Sequence, residues 1–191
     1  MTKLILVRHG LTDWNKSGRI QGALDIPLNE EGRKQIQLII AGLAHLKGVR
    51  KIDAVYASRL SRSFETAAGI AKVFNVKVKR LAELNEFDQG VWQGLLEKQI
   101  EKRFKKIYSA WKADPRLTQP PQGESLAQVS GRVLPAVERM LKQYSGGAIC
   151  IVTHQLVSAI IQDHYINSAS DRIWHSLPKN ASWDVIEIKD G

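Results

Sequence analysis

Two short runs of the chain end alike. LILVRH (Leu4 to His9) and ICIVTH (Ile149 to His154) each place four apolar residues ahead of one polar or cationic residue and a histidine. Each reads as a buried strand that delivers an imidazole at its carboxyl end. Arg8 stands beside the first histidine, Arg62 follows the apolar run IDAVYAS, and Glu86 follows the alternating run VKVKRLAELN. If these strands share a parallel sheet, all five side chains reach one rim, and His9 faces His154 if their strands are neighbours. Guanidiniums are planar forked donors that suit phosphate oxygens, so a phosphoryl group is the natural occupant. A neutral His9 could attack phosphorus, kept unprotonated by the adjacent arginines. Glu86 could give a proton to the departing oxygen and later take one from water. His154 could donate a hydrogen bond to the equatorial oxygens as charge redistributes.

Neither HxxxH nor CxxC occurs, and two arginines at the rim would repel a divalent cation, so the expected site holds no metal and needs no cofactor.

The elements that must position these residues follow from apolar spacing. A strand is predicted at about 3–7, and a helix over LNEEGRKQIQLIIAGLAHL with Ile36, Ile39, Ile40, Leu43 and Leu46 at helical intervals. Then come the strand IDAVYAS, the helix SRSFETAAGIAKVF and the strand VKVKRLAEL. One basic amphipathic helix is predicted from about Leu95 to Lys112, broken by DPRLTQPPQG, and another over 124–144. The chain closes with the strand AICIVT, a helix over about 155–165 and the strand SWDVIEIK. Strands and helices in alternation, with strands written as continuous apolar runs, predict an α/β fold: a three-layer αβα sandwich on a mostly parallel sheet. Ligands in such sheets gather beyond the carboxyl ends of the strands.

A chain of 191 residues with 43% hydrophobic and 25% charged residues fits one domain (1–191), with a small helical cap at about residues 87–122. The lone Cys150 lies in an apolar run and reads as a buried inert thiol. No apolar stretch approaches the roughly 20 residues that span a bilayer, and Arg8 interrupts any signal-like start, so the expected address is cytoplasmic, without membrane contact. The net charge of +9 favours anionic partners. Lys98, Lys102, Arg103, Lys105 and Lys106 lie among aromatics, a pattern that can bind nucleic acid. Without a nucleic-acid motif, the expected role of that helix is a solvated face, and the expected partner is a small phosphorylated substrate. A homodimer is left open.

At these residues the chain resembles the histidine phosphatase superfamily, in the branch of cofactor-dependent phosphoglycerate mutases and their phosphatase relatives. RHGLTDWN (8–15) is similar to the family's RHGxTxWN, and SRLSRSFETA (58–67) places its arginine on Arg62. LNEFDQGVWQG carries the acid on Glu86, PPQGES opens the later helix, and VTH carries the second histidine on His154. The resemblance spans essentially the whole chain in order. It implies a phosphohistidine on His9 in a pocket of Arg8, Arg62 and His154, with further phosphate contacts from Asn15, Gln21, Gly22 and the backbone amide of Gln155.

Some positions depart from the pattern: Gln155 stands for the common glycine, a change that Leu156 and Val157 extend, Arg59 stands for proline and Ser63 for alanine. Mutases of this branch carry a pattern near ERHYG after the acid. The stretch here is EFDQGVWQG, which resembles the phosphatase side. The expected activity is therefore metal-independent hydrolysis of small phosphate monoesters of the phosphoserine, α-ribazole phosphate or sugar-phosphate type. A phosphoglycerate mutase is the alternative within the class, and a catalytically silent nucleic-acid-binding or scaffold protein the alternative outside it. Trp92, Phe104, Tyr108 and Trp111 could line an apolar substrate wall, though such spacing more commonly serves packing.

Overall fold

The computed structural model describes residues 1–46, 49, 51–166 and 177–189. Four strands run parallel: β1 (Thr2–Arg8), β2 (Ala54–Ser58), β3 (Val78–Leu81) and β4 (Ala148–Thr153). A fifth, β5 (Trp183–Ile188), lies antiparallel to β1, and the sheet order is β3-β2-β4-β1-β5. The helices are α1 (Asp13–Ser17), α2 (Glu30–Ala44), α3 (Ser61–Val73), α4 (Glu97–Arg103), α5 (Lys105–Ala113), α6 (Leu126–Gln143) and α7 (Gln155–Ile166). Short 3-10 turns span Ala82–Leu84 and Gly90–Trp92.

Alternation along the strands builds two cores. Leu4, Leu6, Tyr56, Ile149 and Ile151 face Val133, Val137 and Met140 of α6 and Val157 and Ile161 of α7. Ile5, Val7, Val55, Cys150 and Val152 face Ile39 and Leu43 of α2 and Ala67 and Ile70 of α3. Strands covered on both faces have no polar side to show, which is why they read as unbroken apolar runs. The fold is therefore the expected three-layer α/β arrangement. Cys150 lies in the second core, where burial pushes its thiol up to about 12 and leaves it unreactive.

Two elements differ from expectation. The helix predicted from Leu95 to Lys112 is two helices, parted at Phe104, whose φ of −125° and ψ of 31° leave the helical region. No glycine or proline marks the break; tertiary contacts decide it, since Tyr108 reaches Glu97 and the Trp111 ring meets Phe87 at 5.1 Å. The turn-rich segment before Pro27 contains α1, started by a reciprocal cap between Thr12 and Asn15. Among the described residues no helix is long and apolar enough to cross a membrane.

The aromatics of residues 87–113 are packing residues. Trp92 is fully buried, with its ring 5.3 Å from Tyr108 and 6.0 Å from Trp111. Phe104 is half-buried against the same core. Trp92→Ala should therefore cost about 3–5 kcal/mol of stability in denaturant unfolding. A loss near zero would place Trp92 on a solvent-filled wall instead.

Candidate active site

Register sets the site. β1 and β4 pair with Arg8 opposite Thr153, so the next residues, His9 and His154, leave the sheet side by side at its carboxyl rim. Their ring centroids stand 5.1 Å apart at an interplanar angle of 60°. The His9 N–H donates to Thr153 O at 3.1 Å, extending the pairing by one residue.

The proton on His9 can be placed from its partners. Nδ1 lies 2.7 Å from Gly10 O, and a carbonyl only accepts, so Nδ1 carries the hydrogen and Nε2 keeps its lone pair. Arg62 Nε donates to that lone pair at 3.3 Å, a long bond that a ligand can displace. Gly10 follows because nothing larger fits: a Cβ there would stand 2.6 Å from Gly32 O, at the start of α2.

Arg62 is 1% exposed on the first turn of α3. Its Nη1 donates to Leu24 O at 2.7 Å and Nη2 to Gly22 O at 2.8 Å. Three of a guanidinium's five N–H groups are thus engaged by the protein, leaving two for a ligand. Gly22 has a φ of +52°, which an L side chain rarely adopts, and this bend aims its carbonyl at Arg62. Arg8 donates from Nη1 to Pro178 O at 2.6 Å, while its buried Nε has no partner. Burial holds both guanidiniums down to about 10, partly offset by Glu86. Both stay charged at neutral pH.

The same burial acts on the imidazoles. His9 and His154 are held well below 6.5, first by desolvation, then by Arg62, with Arg8 contributing to each. His154 is 0% exposed and is not among the residues that line the cleft; it stands behind His9, with Nε2 2.7 Å from Ser58 Oγ.

Glu86 arrives indirectly. β3 ends at Leu81, and the turn Ala82–Leu84 carries the chain to the rim, tied down where Thr153 Oγ1 donates to Leu84 O at 2.8 Å. Arg132 of α6 then clamps the loop. Its guanidinium donates to the carbonyls of Glu83 and Asn85 at 2.7 and 2.8 Å and of Glu86 at 3.3 Å, while it forms a bidentate pair with Glu124. The Glu86 carboxylate accepts from the N–H of Phe87 at 2.9 Å and of Leu156 at 3.3 Å, in the first turn of α7.

Arg8, His9, Asn15, Gln21, Gly22, Arg62, Glu86 and Gln155 all line one cleft of about 180 Å³. Larger hollows among the described residues, of about 540 and 670 Å³, hold none of these groups, so the chemistry and not the size marks the site. Asn15 accepts at Oδ1 from the Thr12 N–H and from Asn180, which leaves its NH2 for a ligand. Arg59 is exposed and outside the cleft lining. Ser63 is buried, its hydroxyl donating to Val152 O at 2.7 Å.

Sequence reasoning missed several contributors. Trp14, Arg19, Gln89 and Glu97 also line the cleft. Arg19 lies in GRIQG, the stretch that carries Gln21 and Gly22, and could have been suspected; Glu97 carried no signal. The strap before β5 was missed as well: Ala181 N–H donates to His9 O at 3.1 Å, Arg8 N–H to Ser182 O at 3.0 Å, and Asn180 lies 3.3 Å from His9 O.

Residues 4–191 match the histidine phosphatase superfamily (branch 1). The chain is 32% identical over 190 residues to phosphoserine phosphatase 1 of Hydrogenobacter thermophilus, covering all of this chain (100%) and 88% of that protein. It is 35% identical over 192 residues to the metal-independent phosphoserine phosphatase of Arabidopsis thaliana, covering 100% of this chain and 78% of the relative. Among solved structures, Bacillus stearothermophilus YhfR superposes with a TM-score of 0.89 at 29% identity, over 100% of this chain and 93% of that one. The chain belongs to the histidine phosphatase superfamily. It is a phosphoric monoester hydrolase.

The depressed imidazoles make a pH prediction. In the unfolded chain each ring protonates near 6.5, whereas the folded rings resist to well below it. Below about 6.5 the unfolded chain therefore binds more protons, so the rings' contribution to stability is complete above that pH and is lost as pH falls. Thermal unfolding from about pH 7 to about pH 5.5 should show this decline, and it should be shallower in His9→Gln. A His9 ring half-protonated near 6.5 in the free protein, read by NMR titration, contradicts the electrostatics described.

Proposed function

We propose that the protein hydrolyses small phosphate monoesters without metal, through a phosphohistidine on His9, in one catalytic unit with residues of about 87–122 capping the cleft. The observation that carries this is the protonation pattern of His9, a neutral ring with Nδ1 committed to Gly10 O and an unprotonated Nε2 that accepts only the long bond from Arg62, while the charges of Arg62 and Arg8 oppose its protonation. Nε2 attacks phosphorus, the P–N bond forms, and the ester P–O bond breaks. Protonated Glu86 gives its proton to the departing oxygen. Water then attacks phosphorus, passes a proton back to Glu86, and releases phosphate as the P–N bond breaks, leaving His9 neutral again. Arg8, Arg62 and His154 bear the equatorial charge, with Asn15, Gln21, Gly22 and the N-terminus of α7 at Gln155 completing the cradle. The fixed cations supply the charge a metal would bring, and a relative's name carries the term metal-independent. Arg132 acts on Glu86 through the loop backbone and is a positioning residue.

Hydrolysis is favoured over mutase activity by EFDQGVWQG, where a mutase carries further cationic groups after the acid; among these residues Gln89 lines the cleft. The exposed Lys98, Lys102, Arg103, Lys105 and Lys106 serve as a solvated face, with no nucleic-acid partner.

For the substrate, the outer cleft favours a zwitterionic leaving group. It presents the carboxylate of Glu97, held ionised first by the Tyr108 hydroxyl at 2.8 Å and also by the Lys112 ammonium at 3.2 Å, and one guanidinium, Arg19, stacked 5.6 Å over Trp14. Phosphoserine carries the matching ammonium and carboxylate, while sugar phosphates and α-ribazole phosphate lack that pair. The volume, below the roughly 300–1,000 Å³ of drug-sized pockets, suits a three-carbon leaving group.

Turnover of p-nitrophenyl phosphate in EDTA should persist and be abolished in His9→Ala, with acid-free quenching trapping label on His9. Label on another residue, or a strict demand for divalent ions, overturns the mechanism. Glu86→Gln should slow alkyl esters more than the nitrophenyl ester, by roughly tenfold or greater, since a poor leaving group depends most on the acid. In a metabolite panel, Glu97→Gln should raise KM for L-phosphoserine about tenfold while changing nitrophenyl phosphate little. Equal losses on both would remove Glu97 from substrate recognition.

A further inference from the structure

Ser58 ends β2 with its side chain fully buried, and its hydroxyl has two partners: the Leu60 N–H at 3.2 Å and His154 Nε2 at 2.7 Å. A hydroxyl owns one proton and two lone pairs. The Leu60 amide can only donate, so it occupies a lone pair. The Ser58 proton then has one acceptor among the described residues, the ring nitrogen of His154. Were Nε2 protonated instead, Ser58 would accept twice and keep a buried O–H with nowhere to point, a cost of about 1–3 kcal/mol. Double protonation of the ring is opposed by its burial and by Arg62, His9 and Arg8.

We propose that Ser58 is a positioning residue: it donates to Nε2 and so holds His154 in the Nδ1–H tautomer, whose free N–H is available to the transferring phosphoryl group. Nδ1 of His154 is buried and has no hydrogen-bond partner among the described residues, which it shares with Arg8 Nε at the same rim. A buried polar atom left unpaired beside a cleft points to a ligand partner.

The two neighbouring imidazoles thereby acquire opposite roles from one tautomer. In His9 an acceptor, Gly10 O, takes the Nδ1 hydrogen and leaves at Nε2 a lone pair held only by the long bond from Arg62. In His154 a donor, Ser58, occupies the Nε2 lone pair and leaves an unpaired hydrogen at Nδ1. One ring is left able to attack and the other able to donate, and neither needs a charge. Ser63 holds the device in place, since its hydroxyl accepts from the Ser58 N–H at 3.2 Å and donates to Val152 O on the strand that carries His154. The donor role rests on the phosphoryl-transfer reading above; the tautomer does not.

The test is a long-range proton–nitrogen NMR spectrum of the ligand-free, histidine-labelled protein near neutral pH, with His154 assigned by its loss in His154→Gln. Expected is a pyrrole-type nitrogen at Nδ1 and a pyridine-type nitrogen at Nε2. Ser58→Ala should move His154 to the other tautomer or to a mixture and weaken orthovanadate binding by about tenfold or more. Ser58→Thr, which keeps the hydroxyl, should restore both. A wild-type His154 protonated at Nε2 overturns the inference, as does an unchanged tautomer in Ser58→Ala. If Ser58→Ala does not fold, the wild-type spectrum decides alone. Failure to trap a phosphohistidine would remove the proposed reaction while leaving this spectrum as it stands, so the two failures are distinguishable.

Discussion

The parallel pairing of β1 with β4, in the register that sets Arg8 against Thr153, is the constraint on which the site depends. It brings two imidazoles, 145 positions apart in sequence (154 less 9), to ring contact at 5.1 Å. A slip of one residue would turn every strand side chain to the opposite face, exchanging Leu4 and Leu6 with Ile5 and Val7 between the two cores. Because both faces are covered by helices, the cores on either side hold that register.

Electrostatics at the rim run against the stability of the free protein. Arg8 and Arg62 are desolvated to the point where burial lowers them to about 10, and the two rings beside them are denied protons. Glu86 is the acid that offsets both arginines. A dianionic phosphoryl group arriving here replaces poor solvation with opposite charge, so binding energy is concentrated on the group that reacts. The same field keeps His9 Nε2 unprotonated, so under the proposed mechanism affinity and nucleophilicity share one cause.

Precision at the rim comes from backbone-directed clamps. Arg132 grips three consecutive-region carbonyls, at Glu83, Asn85 and Glu86, and Thr153 holds Leu84. The strap before β5 holds Arg8 and His9 through Pro178, Ala181 and Ser182, and it needs Ala181 at a φ of +58° to do so. An alanine in that region costs of order 1–3 kcal/mol, which persists because the surrounding hydrogen bonds over-determine the turn.

The fold class and the central reactive set were legible in the chain because they follow from local rules. Strands buried on both faces must be written as apolar runs, and side chains meant for one rim must follow those runs, as His9, Arg62, Glu86 and His154 do. Asn15, Gln21, Gly22 and Gln155 were reached through the resemblance, and they too line the cleft. What the chain could not announce are contacts made at long sequence separation. Glu97 lines the cleft from the start of α4, and Tyr108 of α5 reaches it only because the two helices part at Phe104, a residue with no helix-ending chemistry of its own. Arg132 reads as one more charge on an amphipathic helix until α6 packs against the loop of Glu86. Ser58 reads as a strand-end serine until β2 lies beside β4 and puts its hydroxyl 2.7 Å from His154. Residue types state which chemistry is available; strand order and helix packing decide which atoms face each other, and at this rim that includes where the protons sit.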